Sequence, residues 1–219
     1  ALDIYNVTID ATASTADYGA GLNVNSATVN MYAGTIKGGT VTANSGGGSV
    51  ILQNSAVFNF YNGTITGGRL TNPTSGAGGN VTTWNAACVF NQYGGSIEGG
   101  SAGFGGCNVY VRDGAYNLIG GSIGGGNAKH GGSVYVSSKN GGFTMTGGTV
   151  TGGTATEGGG AIDVDNGKVS ISGGTIKGGT AQYGGAMNIR SNGTVTLSGS
   201  GIIDGGSSTG SGGGNVIIQ

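Results

Sequence analysis

Few residues in this chain have the chemistry for catalysis, and the best-placed set is Asp163, Asp165 and Arg190. Polysaccharide lyases and hydrolases use clustered carboxylates beside a cationic side chain, often with Ca²⁺, for proton transfer and charge stabilisation. Such a site needs further acids stacked on the pair, and here Tyr135 and Asn188 flank Asp163 instead. The simpler reading is an exposed cross-strand ion pair of Asp165 with Arg190, of the kind that contributes ~0.2–1 kcal/mol. His130 is the single histidine. It precedes a Gly-Gly, in a column with Tyr18, Phe104 and Tyr183, and reads as a corner-packing ring rather than a general base. Gly206-Ser207-Ser208-Thr209-Gly210 spells a nucleophile elbow, but that motif requires a strand-to-helix turn. No catalytic residue, metal ligand or cofactor is assigned, and the chain is read as a non-enzyme.

Cys88 and Cys107 are the only cysteines and lie 19 residues apart. They are either a disulfide between corners of neighbouring coils or two small buried thiols. Asn6, Asn62, Asn80 and Asn192 stand in Asn-x-Thr sequons, which matter only where the source glycosylates.

Two regular columns could bind rather than react. One is Asp3, Asn30, Asn59, Asn91 and Asn117, and the other is Tyr5, Tyr32, Tyr61 and Tyr93. Stacked amides hydrogen-bond along a column, and stacked aromatics add contact. Four aligned tyrosines also make a stripe suited to glycan rings or to a neighbouring rod. Tyr110 and Tyr135 form a shorter pair.

These columns require stacked strands, and the composition points the same way. Of 219 residues 54 are Gly, one is Pro and 17 are charged. That much Gly excludes most helical architectures, since each interior Gly costs ~1 kcal/mol in a helix. The absence of a Gly-x-y period excludes collagen, and no apolar run approaches the ~18 residues of a membrane span. The glycines are periodic. Gly-Gly-Thr-Ile-Lys-Gly-Gly-Thr-Ala at 173–181 has variants around Ile9, Ile36, Ile65, Ile97, Ile123, Val150 and Ile203. The successive spacings, with Ile176 included, are 27, 29, 32, 26, 27, 26 and 27.

Each unit reads as three short alternating strands with Gly-Gly corners, one coil of a β-solenoid. The expected fold is all-β: a right-handed parallel β-helix of about eight coils of roughly 27 residues. It is read as one domain over 1–219, with partial coils at both ends. The inward columns run through Leu22/Val24, Val50/Leu52 and Val81/Thr83 on the first sheet, and through Leu2/Ile4, Val29/Met31 and Phe58/Phe60 on the second. The third sheet supplies the anchor isoleucines, followed by a small column of Val41, Leu70, Ala102, Ala128, Ala155 and Ala181. The 32-residue coil is expected to bulge near Leu70 to Gly79, around the only proline. The third sheet's outward pairs include only two Thr-x-Thr sets, Thr64/Thr66 and Thr149/Thr151, which speaks against a regular ice-binding face.

The phrase Gly-Gly-Thr-Ile-x-Gly-Gly-Thr-Ala followed by Gly-Gly-Gly-Ala-Ile-x-Val resembles the repeats of bacterial cell-surface parallel β-helix proteins, adhesin-like and autotransporter-like. The resemblance is one of repeat grammar over nearly the whole chain. It implies an extracellular, elongated, non-enzymatic scaffold. Gly159-Gly160-Ala161-Ile162 also matches half of the chlamydial-type surface repeat, but the accompanying Phe-x-x-Asn is missing. A net charge of −1 provides no long-range pull toward nucleic acid or anionic lipid.

The ends suggest self-assembly. The sequence enters at a second-sheet strand, Leu2 to Tyr5, and leaves after a first-sheet strand, Val216 to Ile218. The two partial coils are expected to complete one coil between successive subunits, a head-to-tail contact that does not close. The joint would bury Leu2, Ile4, Tyr5, Val7 and Ile9 against Val195, Leu197, Ile203, Val216 and Ile218. The leading expectation is thus a secreted filament subunit whose partner is itself. The alternative is an adhesin stalk or glycan-binding module using the tyrosine stripe, with glycans or a cell surface as partner.

Overall fold

The computed structural model describes residues 1–42, 46–72, 74–210 and 212–219. Among them every regular element is a strand, and every strand pairing is parallel. Three eight-stranded sheets and two four-stranded sheets make up one β-solenoid. At ~4.8 Å per layer, eight layers give a stack ~35–40 Å long.

The registers reproduce the inward columns residue for residue. On the second sheet Leu2, Val29, Phe58, Phe90, Tyr116, Phe143, Val169 and Val195 are successive partners. On the first, Leu22, Val50, Val81, Val109, Val134, Ile162, Met187 and Val216 are. Alternation puts these side chains, the exposed Leu2 of the end layer aside, into or against one continuous core from Ile4 to Ile189. Phe58, Phe90, Tyr116 and Phe143 stack within it, with ring centroids 4.9, 4.9 and 5.5 Å apart. Gln92 interrupts the apolar column but is satisfied. It accepts from the Tyr116 hydroxyl at 2.5 Å and donates to the Ser122 carbonyl at 3.1 Å.

The small column adds a feature to the three expected strands. Its residues lie on short fourth strands such as Thr40–Val41, Arg69–Leu70 and Thr180–Ala181. The chain beyond them folds back over the outer face of the first sheet. Ile51, Thr82, Tyr135, Asp163 and Asn188 point away from the core yet are buried.

The paired glycines serve close approach between coils. A Cβ on Gly153 would come 2.0 Å from the Gly126 carbonyl oxygen. Gly159 has the second reason, a φ of 64°. The turns between first and second sheets use Ser26, Asn54, Asn166 and Ser191 at φ of 50–61° instead. The polar side chains of Asn54 and Asn166 suit that region.

The long coil opens where expected, in a turn in which Asn72 Oδ1 accepts from the amides of Thr74 and Ser75 at 3.0 and 3.2 Å. Pro73, the proline expected there, lies outside the described residues.

Candidate functional site

Three places gather the side chains that the sequence singles out. The first is the outer face of the second sheet. Strand alternation aims Asp3, Asn30, Asn59, Asn91 and Asn117 outward in register. Asn30 Nδ2 donates to Asp3 Oδ1 at 2.8 Å, and Asn59, Asn91 and Asn117 each donate to the preceding member at 2.9 Å. The amide column is therefore a one-directional chain ending on a carboxylate. Beside it Tyr5, Tyr32, Tyr61 and Tyr93 stack with centroids 4.6, 5.0 and 4.9 Å apart and ring planes within 9°. Burial between its neighbours raises the Tyr32 pKa, with Tyr5 and Asp3 adding to it. The stack covers both faces of Tyr32 and Tyr61. What solvent meets is a comb of ring edges and hydroxyls.

The second place is the outer face of the first sheet, where the structure corrects the expectation of an exposed ion pair. Asp165 does lie opposite Arg190, at 3.3 Å. Asp163, however, is fully buried beneath the folded-back chain. Its carboxylate accepts from Asn188 Nδ2 at 3.0 Å and from Arg190 Nε at 3.3 Å. His130 Nδ1 lies 2.9 Å from Asp163 Oδ2 without an aligned hydrogen bond, so protonation of the ring would make this contact an ion pair. His130 Nε2 lies 3.3 Å from Glu157, which also binds Lys129 at 3.0 Å.

A buried charge must be paired, and Asp163 has the partners it needs. Tyr135 donates to Asp165 at 3.2 Å. Its pKa is pushed far up by burial first and by Asp165 second. Burial works against the Arg190 charge, but Asp163, Tyr135 and Asp165 hold the guanidinium above its ordinary value. His130 packs on Phe104 at 5.0 Å, in keeping with a corner ring. Its pairing with Asp163 is the part missed. Strand alternation gives the outward position of Asp163 but not the path of the chain that brings His130 over it.

The cysteines form no bond. Cys88 donates to the Asn54 carbonyl at 3.2 Å and Cys107 to the Gly132 carbonyl. Both thiols are free and buried, and burial pushes the Cys107 pKa up to about 12. Ser208 of the elbow-like spelling sits on the strand Ser207–Ser208, and its hydroxyl donates to the Gln182 carbonyl at 2.7 Å. Asn80 of the second half of the sequon set is fully buried. It belongs to a polar corner that sequence reasoning overlooked. Ser49 donates to Asn80 Oδ1, and Asn80 Nδ2 donates to Asn108 Oδ1, both at 2.8 Å. The clue is a polar residue recurring just before the first-sheet strand, at Ser49, Asn80, Asn108 and Ser133. Among the described residues no three His, Cys, Asp or Glu side chains converge as a metal site.

The third place is the pair of end layers. Leu2–Ile4, Val7–Asp10, Thr15–Ala16 and Leu22–Asn25 make one. Thr194–Leu197, Ile202–Asp204, Ser207–Ser208 and Val216–Ile218 make the other. Each is a full turn through the same succession of sheets, where partial coils were expected. Leu2, Val7, Leu197, Ile202 and Ile218 are 45–78% exposed. Ile9, Val195, Ile203 and Val216 are half-buried against the core, Ile4 is buried, and Tyr5 is exposed.

Among the described residues no helix is long and apolar enough to cross a membrane. Comparison with protein-family models, curated proteins and solved structures finds no match.

Proposed function

We propose that this chain is an extracellular structural protein, a β-solenoid rod that extends itself by stacking end layer on end layer. The observation that carries this reading is the match between those layers. Laid head to tail in the register of the internal coils, Leu2 meets Val195, Ile4 meets Leu197 and Ile9 meets Ile203. Leu22 meets Val216 and Val24 meets Ile218. These five contacts pair apolar with apolar, and in the small column Ala16 meets Ser208. The outward columns also continue: Thr196 reaches the unpaired side of Asp3, and Ser198 covers the free face of Tyr5.

About ten strand-edge hydrogen bonds of ~1 kcal/mol each would roughly offset an association cost of ~4–15 kcal/mol. Apolar burial then decides the balance, at ~25 cal/mol per Å². The contact is heterologous and open, so it yields filaments. The extracellular setting and the kinship with adhesin-like or autotransporter-like surface proteins rest on the repeat grammar.

Electron microscopy of the purified chain tests the reading. Filaments of one-rod width are expected. Leu197→Asp with Ile218→Asp should leave folded single rods, and monodisperse wild-type rods at high concentration would overturn the reading.

The exposed tyrosine column supports a second reading, a glycan-binding stripe. Sugars would meet ring edges, hydroxyls and amides there, since both faces of Tyr32 and Tyr61 are covered. Glycan-array binding lost in Tyr32→Ala would support it.

A further inference from the structure

The exposed tyrosines have a reactivity that neither reading uses. Tyr5, Tyr32, Tyr61 and Tyr93 lie on four successive coils, ring over ring, with centroids 4.6–5.0 Å apart. They are 38–64% exposed, so an oxidant reaches them and each ring can tip toward its neighbour. Phenols in such contact couple after one-electron oxidation. We infer that this column is an oxidative cross-linking site, at which a peroxidase-class oxidant using hydrogen peroxide joins neighbouring coils of one chain through dityrosine bonds.

The step balances as follows. Each of two neighbouring phenols gives up one electron and its hydroxyl proton, leaving two phenoxyl radicals. The radicals join by a new carbon–carbon bond between the ring carbons ortho to oxygen. The hydrogens on those carbons move to the oxygens, restoring both phenols. The two electrons and two protons reduce hydrogen peroxide to two waters. Each bond leaves the chain lighter by two hydrogen atoms.

The molecule contains its own control. Tyr110 and Tyr135 also stack, at 5.6 Å. Tyr135 is buried, and its hydroxyl is held by Asp165, while the Tyr110 hydroxyl is paired with Ser137 at 2.8 Å. Tyr135 is out of an oxidant's reach, and Tyr110 is half-buried, so this pair lacks two accessible phenols. The inference therefore distinguishes two stacked pairs by exposure, not by spacing. The bonds would close loops of 27, 29 and 32 residues between Tyr5, Tyr32, Tyr61 and Tyr93. A covalent tie of that kind restricts the unfolded chain and raises the melting temperature. All of these bonds lie within one chain, so the inference stands apart from the end-to-end joint.

The test treats dilute full-length protein with a haem peroxidase and hydrogen peroxide. Dityrosine fluorescence, intact mass and peptide mapping are then read. The expected result is a dityrosine yield per chain that does not change with protein concentration, mapped to Tyr5–Tyr32, Tyr32–Tyr61 or Tyr61–Tyr93. The double variant Tyr32→Phe, Tyr61→Phe keeps every ring but removes a phenol from each adjacent pair, and its yield should fall to background. Wild-type mapping decides the matter even where the double variant folds poorly. Bonds mapped to Tyr110–Tyr135, bonds only between chains, or an undiminished yield in the folded double variant would overturn the inference.

Discussion

Two outward faces of the same solenoid carry stacked polar and aromatic side chains, and they differ in what lies above them. On the second sheet the Asp3–Asn117 amide chain and the Tyr5–Tyr93 ring stack face solvent. On the first sheet Tyr135, Asp163 and Asn188 occupy equivalent outward positions but are buried. The folded-back chain that brings His130 and Glu157 makes the difference. A repeating backbone sets where side chains point. A covering segment sets whether a carboxylate there is a surface group or a buried charge needing partners on every side. In energy the covered face matters to folding, and the open face is left available for contact or chemistry.

The sharpest way to break this comparison is to remove Asp163. Asp163→Ala removes the buried carboxylate that Asn188, Arg190 and His130 share, leaving Arg190 only Asp165 and Tyr135 and His130 only Glu157. Breaking a buried pair from one side costs ~3–5 kcal/mol. The melting temperature should drop by ~2–4 °C for each of those kcal/mol in a chain of this size. A drop no larger than that of a surface variant would show that the covered face is energetically ordinary.

The open face should respond less. Tyr61→Ala removes ring contacts on both sides, and stacked aromatic pairs contribute ~0.5–1.5 kcal/mol each. Calorimetry should place its melting temperature between those of Asp163→Ala and wild type. A smaller effect belongs to the joint. Asp10 and Asp204 end the same outward column and would meet there as like charges, each beside a lysine, Lys37 or Lys177. Asp204→Asn should lower the concentration at which filaments form, as measured by light scattering.

The smallest effect is the pH response of Asp10. Hydrogen bonds from Thr12, and then Lys37, hold its pKa below the usual carboxylate value. Its folded pKa is thus below its unfolded one. The stabilisation is present above the unfolded value near ~4 and is lost as pH falls through the folded one. A Thr12→Ala variant, which keeps the backbone amide and Lys37, should lose part of that pH dependence in a melting series between about pH 5 and 2.

Most of the fold was legible because a solenoid writes its core as columns. Period-two alternation and Gly-Gly spacing put Leu2 over Val29 and Ile36 over Ile65 before any coordinates. The amide and tyrosine columns were legible for the same reason, since register carries outward residues as faithfully as inward ones. Three features were not. The burial of Asp163 depends on where residues 129–132 and 156–160 fold, and strand alternation says nothing of that path. The fourth strand was read only as a small column, because two-residue strands are too short to show alternation. The Ser49–Asn80–Asn108 corner was hidden because its amides and hydroxyls imitate backbone partners, and no hydrophobic pattern marks them.

The claim that end layers stack in register can be tested at a single contact. In the head-to-tail arrangement Asp3 of one molecule lies opposite Thr196 of the next, at the spacing of neighbouring parallel strands, which a disulfide can span. Asp3→Cys and Thr196→Cys proteins would be mixed under mild oxidation and the products mapped by mass spectrometry. The account predicts a mixed dimer joined between positions 3 and 196, forming far faster than either like-with-like dimer. Equal rates for all three dimers, or no mixed dimer at all, would contradict it.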